Sequence, residues 1–172
     1  MGNIMNAIHI QYHKTSIGEL ILGCFQDRLC ILDFRYRKMR NRVDKRINQG
    51  LNADFIEQDN DILQKTRQQI DEYLSAQRTQ FDIPILMVGS DFQKQVWQQL
   101  IGVSYGQTSS YLDLAKRINN KKAVRAVASA NGANSIALIV PCHRIIESNG
   151  ELGGYGGGLS VKKRLLKIEA CL

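Results

Sequence analysis

Long apolar runs are missing from this chain: none approaches the roughly 18 residues that a membrane span requires, so no membrane partner is expected. The opening stretch, MGNIMNAIHI, lacks a basic segment leading into an apolar run and a small-residue cleavage site. Asn6 stands where a myristoylation signal needs Ser or Thr, so the chain reads as cytoplasmic and unprocessed. Cysteine is sparse. Cys24, Cys30, Cys142 and Cys171 are too few and too scattered for a disulfide framework. With no CxxC pair, the nearest approach to a zinc set is His9, His13, Cys24 and Cys30, whose spacing fits no common structural site. No metal and no cofactor are expected. Internal repeats and low-complexity tracts are absent as well. What remains, 23% charged and 44% apolar residues in a chain of 172, is the composition of an ordinary folded protein with one domain or two small ones.

Charge is the more informative feature. The net value of +7 is unevenly spread: residues 35–46, RYRKMRNRVDKR, hold seven Lys/Arg against Asp44 alone, and residues 85–172 hold eleven against five acidic residues. A basic C-terminal half beside a basic loop suggests a polyanion as partner.

The first third reads as short strands. AIHIQY (7–12), GELILGCF (18–25) and RLCILDF (28–34) are separated by turn signals, which predicts a small antiparallel meander. The basic 35–50 segment is expected to be a loop or a frayed helix. From Asn60, NDILQKTRQQIDEYLSA places Ile62, Leu63, Ile70, Tyr73 and Leu74 at helical spacing behind a cap, so a helix should cover one face of the sheet. FDIPILMVGS, interrupted by Pro84, links two halves and sets expected domains at 1–88 and 89–172.

Beyond that link the periodicity is helical. SDFQKQVWQQL aligns Phe92, Val96 and Leu100, with Trp97 alongside. A short helix is expected from Tyr111 to about Ile118, then an NNKK turn, then a helix from about Ala123 to Ala130 that buries Val124 and Val127 and leaves Arg125 pointing out. That pair has the outline of a helix-turn-helix. SIALIVP predicts a buried strand delivering Pro141 and Cys142 to its end. ESNGELGGYGGG, with six glycines in twelve residues, would let a backbone approach a ligand closely. Ser160 is expected to cap a last helix whose Val161, Leu165, Leu166 and Ile168 face inward. The expected fold class is α/β in the broad sense (α+β): a small N-terminal antiparallel sheet with a helix, then a mostly helical C-terminal domain.

IVPCHRII, residues 139–146, sets a thiol, an imidazole and a guanidinium side by side. A thiol is a nucleophile only as thiolate, and its pKa of about 8.5 must be lowered by a cationic or proton-accepting neighbour. His143 and Arg144 are the candidates. Adjacent side chains on an extended segment point apart, so His143 needs a bridging water or a turn to serve Cys142. A carboxylate from the last helix, Glu169, is placed to fix the imidazole tautomer.

PCHR, together with FQKQVWQQL, YGQTSSYLDLAKRI, AVRAVASANGANS and NGELGGYGGGLSVKKRLLKIEA, resembles the O6-alkylguanine-DNA alkyltransferase family almost continuously from Phe92 to Ala170. The first ninety residues match only in outline, as a ribonuclease-H-like domain. The resemblance implies DNA repair by direct reversal: Cys142 would take the alkyl group from O6-methylguanine, and by extension O4-methylthymine, in one irreversible turnover on a flipped base. His143, through a water held by Glu169, would accept the thiol proton, and the Tyr111 hydroxyl would donate to the departing purine. Arg125 would fill the hole in the duplex, on a helix whose Ala123, Ala126 and Ser129 meet the minor groove. Carbonyls near Cys142 and Ile145 and the amide of Gly156 would read the base, Tyr155 would wall the pocket, and Asn134 would be a hinge. The implied partner is double-stranded DNA with alkylated guanine, bound by a monomer, without cofactor or metal. Departures are Ser135 in place of a proline, Ala128-Ser129 in place of two glycines, and INNKKA in place of a Gly-Asn-Pro turn. Two other readings stand beside this one: a lesion sensor that flips the base without reacting, and a hydrolase with a Cys-His-Glu triad.

Overall fold

The computed structural model describes residues 6–172, and the targeting reading of the opening stretch falls largely outside them. The chain forms two compact units, Met1–Gly89 and Ser90–Leu172.

In the first unit, β1 (Ala7–Thr15), β2 (Gly18–Phe25) and β3 (Arg28–Phe34) form the expected meander. The sheet is nevertheless mixed. A fourth strand, β4 (Asp54–Glu57), pairs parallel to β1 and gives the order β3-β2-β1-β4. The parallel pairing needs a crossover, and the basic segment supplies it as a regular helix, α1 (Arg40–Leu51), where a loop or frayed helix was expected. Met39, Val43, Ile47 and Leu51 recur every four residues and pack with Ile8, Ile10, Ile21, Phe25 and Ile31 of the sheet, so a stripe of four apolar side chains outweighs the surrounding charge.

The opposite face is covered by α2 (Asp61–Leu74), whose Asn60 side chain caps the Leu63 amide. Leu63, Ile70 and Tyr73 are fully buried there. Alternation along β1 sends His9 and His13 to this side, where His13 Nε2 lies 2.7 Å from Asp71 and His9 Nδ1 lies 3.4 Å from the Asn60 amide. These two histidines are thus engaged by α2 carboxylate and amide groups. The link beyond α2 also joins the sheet: Leu29 exchanges backbone hydrogen bonds of 2.8 Å with Pro84 and Leu86.

In the second unit, α3 (Asp91–Ile101) starts from a Ser90–Gln93 capping box and buries Val96, Trp97 and Leu100. Helices α4 (Tyr111–Arg117) and α5 (Val124–Gly132), joined through a 3-10 turn at Lys121–Ala123, make the helix-turn-helix. The Trp97 indole donates to the Ala130 carbonyl at 2.8 Å and ties α3 to α5. Val127 is buried as expected, whereas Val124, in the first turn of α5, is only half-buried. The last helix, α6 (Leu159–Ile168), is preceded at its N-cap by Gly158, whose φ of 93° only glycine adopts readily; Ser160, the expected cap, lies two residues further on, inside the helix.

Buried in the first unit at 1% exposure, Asp33 accepts hydrogen bonds from Arg37 (3.1 Å) and Arg40 (2.8 Å), and burial still pushes its carboxyl up. Removing it leaves two guanidinium groups without their shared partner. Asp33→Ala is expected to cost about 3 to 5 kcal/mol of unfolding free energy, measured by denaturant titration, with a smaller loss for Asp33→Asn.

Candidate active site

The segment expected to be a buried strand is a chain of tight turns. Ile139 donates to Ala137, Val140 to Ile136 and Cys142 to Val140, and Leu138 sits at φ 68° in the left-handed region. Burial was read correctly and conformation was not. Asn134, 3% exposed, cross-braces the turns: its Nδ2 donates to Val140 O at 2.8 Å and its Oδ1 accepts from the Ile136 amide at 3.0 Å. With its backbone groups answered in this way, the segment needs no neighbouring strand.

Pro141 then leads into a 3-10 turn at Cys142–Arg144, followed by β6 (Ile145–Ile146), which pairs parallel with β5 (Ser109–Ser110). In a 3-10 turn neighbouring side chains diverge by about 120°, so Cys142 and His143 point to different places even without an extended backbone. Cys142 is 7% exposed and His143 is fully buried.

The imidazole meets Glu169 at 2.6 Å between Nε2 and Oε2. A carboxylate only accepts, so Nε2 carries the hydrogen and Nδ1 presents a lone pair. Burial lowers the His143 pKa against the raising effect of Glu169, with Arg144 and Lys162 lowering it further. The resting imidazole is neutral and able to take a proton.

Arg144 was a candidate neighbour for the thiol, yet the structure turns it the other way. Its Nε and Nη2 donate to Glu169 at 2.7 and 3.1 Å, and its Nη1 donates to Val103 O at 2.7 Å. It orients the carboxylate that orients the imidazole.

The cation coupled to the thiol is one the sequence reading missed. Lys162, on α6, is fully buried and donates to the carbonyls of Ile145 (2.6 Å), Gly154 (3.2 Å) and Leu152. Desolvation pulls its pKa down to about 8, while a Cys142 thiolate and Glu147 pull the other way. Its signal was faint: in VKKRLLKI, position 162 lies one turn before Leu165 and Leu166, on the inward stripe.

Of the other expected residues, Tyr111 opens α4 with 6% exposure, and burial pushes its phenol up to about 12, so it stays a hydrogen-bond donor. The glycine-rich loop runs against it: a Cβ on Gly153, at φ 71°, would lie 3.1 Å from the Tyr111 hydroxyl. Ile145 is buried, and its carbonyl already accepts from Lys162, leaving one lone pair for anything else. Tyr155 is half-buried and Gly156 exposed in the same loop. Arg125, Ala126 and Ser129 are exposed together on α5, with Ala123 half-buried at its start.

A buried thiol, a neutral imidazole held by a carboxylate, and a helix-turn-helix in the same unit define a cysteine-nucleophile domain of the nucleic-acid-binding kind. Family models agree across both units. "6-O-methylguanine DNA methyltransferase, ribonuclease-like domain" matches residues 8–87, and "6-O-methylguanine DNA methyltransferase, DNA binding domain" matches residues 91–171. The chain belongs to the 6-O-methylguanine DNA methyltransferase family.

It is 38% identical to the methylated-DNA--protein-cysteine methyltransferase of Methanosarcina barkeri over 91% of this chain and 93% of that one. The protein of the same name from Mycobacterium leprae is 43% identical, over 94% and 92% of the two chains. Among solved structures, Mycobacterium tuberculosis OGT in complex with DNA is similar with a TM-score of 0.79 and 34% identity, covering 94% of this chain and 92% of that one.

Loss of the Lys162 proton removes the favourable partner of a thiolate, so alkyl transfer from a free-base substrate should decline as pH rises through about 8. Lys162→Met should react more slowly at neutral pH and lack that alkaline limb, as read by single-turnover rates across pH.

Proposed function

We propose that this protein repairs alkylated DNA by moving the alkyl group from O6 of guanine, and from O4-methylthymine, to its own Cys142. The observation that carries the reading is the buried Cys142–His143–Glu169 arrangement, with 2.6 Å between His143 and Glu169, in a chain of this family. In this reading residues 89–172 are the DNA-binding and alkyl-acceptor domain, and residues 1–88 a ribonuclease-H-like domain. The protein acts as a monomer on double-stranded DNA, in the cytoplasm at the nucleoid or in a nucleus.

The chemistry is a displacement at carbon. Cys142 gives up its proton toward Nδ1 of His143, across a gap that a water spans, and Glu169 accepts from the imidazolium that forms. The sulfur–carbon bond forms as the carbon–O6 bond breaks, and the electron pair stays with the purine. The Tyr111 hydroxyl donates to a ring nitrogen where that charge grows. The product is a thioether, which nothing in the site can hydrolyse, so each molecule acts once.

A stacked guanine cannot offer O6 to a buried sulfur, and everting it costs a few kcal/mol. The exposed face of α5 supports the means: Ala126 and Ser129 are small enough for close approach to the minor groove, and Arg125 beside them has the reach to occupy the vacated stack. Ala123 continues that face, Tyr155 and Gly156 bound the base pocket, and Asn134 holds the turn segment that presents Cys142.

Incubation with duplex DNA carrying one O6-methylguanine is expected to add a single methyl group to the Cys142 peptide at a stoichiometry near one, as read by mass spectrometry. Repeated turnover would contradict the reading. Cys142→Ser should keep DNA affinity and lose transfer. Arg125→Ala should slow repair in duplex DNA about 10- to 100-fold, the equivalent of 1.4 to 2.8 kcal/mol, and leave the reaction with a free-base substrate near the parent rate.

A further inference from the structure

The cations of residues 35–46 fall into two groups. Four are held by the fold: Arg35 donates to Glu19 at 3.1 Å and stacks over Tyr12, Arg37 and Arg40 share Asp33, and Arg46 donates to Val88 O at 3.0 Å. The other three, Lys38, Arg42 and Lys45, are exposed and make neither an ion pair nor a hydrogen bond with any described residue. They stand at positions i, i+4 and i+7, on one side of α1 and its approach. Beside them Tyr36 is 75% exposed, more than any other large apolar side chain among the described residues.

This concentration of charge is unfavourable for the isolated protein. Arg40 and Arg42 occupy the first turn of α1, where the helix dipole favours anions; no acidic residue is in that turn and no side chain caps it. Burial and the repulsion of Arg37 and Arg40 lower the pKa of Arg46, against the pull of Asp33. A surface of this kind is relieved by a multivalent anion. The alternation of phosphates along a duplex suits three cations set along one helix face, and an exposed tyrosine can donate to a phosphate oxygen.

We infer that Lys38, Arg42, Lys45 and Tyr36 form a second, sequence-independent binding surface for the phosphate backbone of DNA, separate from the lesion site. The inference rests on the DNA-repair reading for the identity of the polyanion. Its place is in search and retention: contacts that ignore sequence raise the time spent on undamaged duplex.

The test uses the full chain with Lys38→Ala, Arg42→Ala and Lys45→Ala combined, and follows binding to undamaged duplex by fluorescence anisotropy over a range of salt. Losing three phosphate contacts should make the plot of log affinity against log salt shallower by roughly 2 to 3. A change seen already on a duplex barely longer than one footprint assigns the surface to the same stretch of DNA as the lesion site. A change confined to a duplex several times longer assigns it to adjoining DNA. An unchanged slope on both lengths overturns the inference. Alkyl transfer from a free-base substrate is measured in parallel: it should match the parent in the triple variant, and its absence from the parent would instead sink the repair reading.

Discussion

One buried carboxylate organises the active-site unit. Glu169, 2% exposed at the end of α6, accepts from His143, twice from Arg144, and from the Gly106 amide at 3.3 Å. Burying an unanswered carboxylate costs several kcal/mol, and removing a partner from it costs nearly as much. Four donor groups from two separate segments must therefore meet the carboxylate of a third. The loop after α3 supplies Gly106, the 3-10 turn supplies His143 and Arg144, and α6 supplies the carboxylate. Gly106 is at φ 77° with its Cβ position 3.3 Å from the Glu169 carbonyl, and the Tyr105 hydroxyl donates to Ile168 O at 3.2 Å. The imidazole is oriented because the folded unit leaves it no second arrangement.

Legibility in the sequence followed the range of the interaction. Local signals survived in large part: the Asn60 cap and the Ser90 start of α3 are present, and Val96, Trp97 and Leu100 of α3 and Leu165 and Leu166 of α6 are buried, while Phe92, Val161 and Ile168 are half-buried. The family motif carried Glu169 to within hydrogen-bonding distance of His143 although the two are 26 residues apart. What failed was set by distant partners. Strand β4 exists because β1 offers it an edge, and DFIE has no alternation strong enough to announce that. Helix α1 was hidden by its charge, since four apolar residues in a basic segment look like a solvated loop until a sheet is there to cover. SIALIVP has the composition of a strand, but Asn134 satisfies its backbone from within and turns it into loops. Lys162 was overlooked for the opposite reason: lysine is almost never fully buried, and only the three carbonyls that receive it make an exception.

Those carbonyls and the thiol together suggest how the site balances its charge. Arg144 offsets Glu169, and burial keeps His143 neutral, so the remaining buried charge is the Lys162 ammonium, answered by carbonyl dipoles and by the charge of Glu147 while Cys142 is protonated. Ionising the thiol gives that ammonium a counter-charge, in surroundings where the interaction is stronger than in water. Moving the thiol proton to His143 leaves the net charge of the site unchanged, so what the reactive form gains is the attraction between the Lys162 ammonium and the thiolate. In the proposed reaction the sulfur becomes an uncharged thioether, and the ammonium keeps only the carbonyl dipoles and the pull of Glu147, because a thioether cannot ionise. The attraction that favours the first attack is thus absent from the spent site, whose thioether sulfur has neither the charge nor the thiol proton needed to react again.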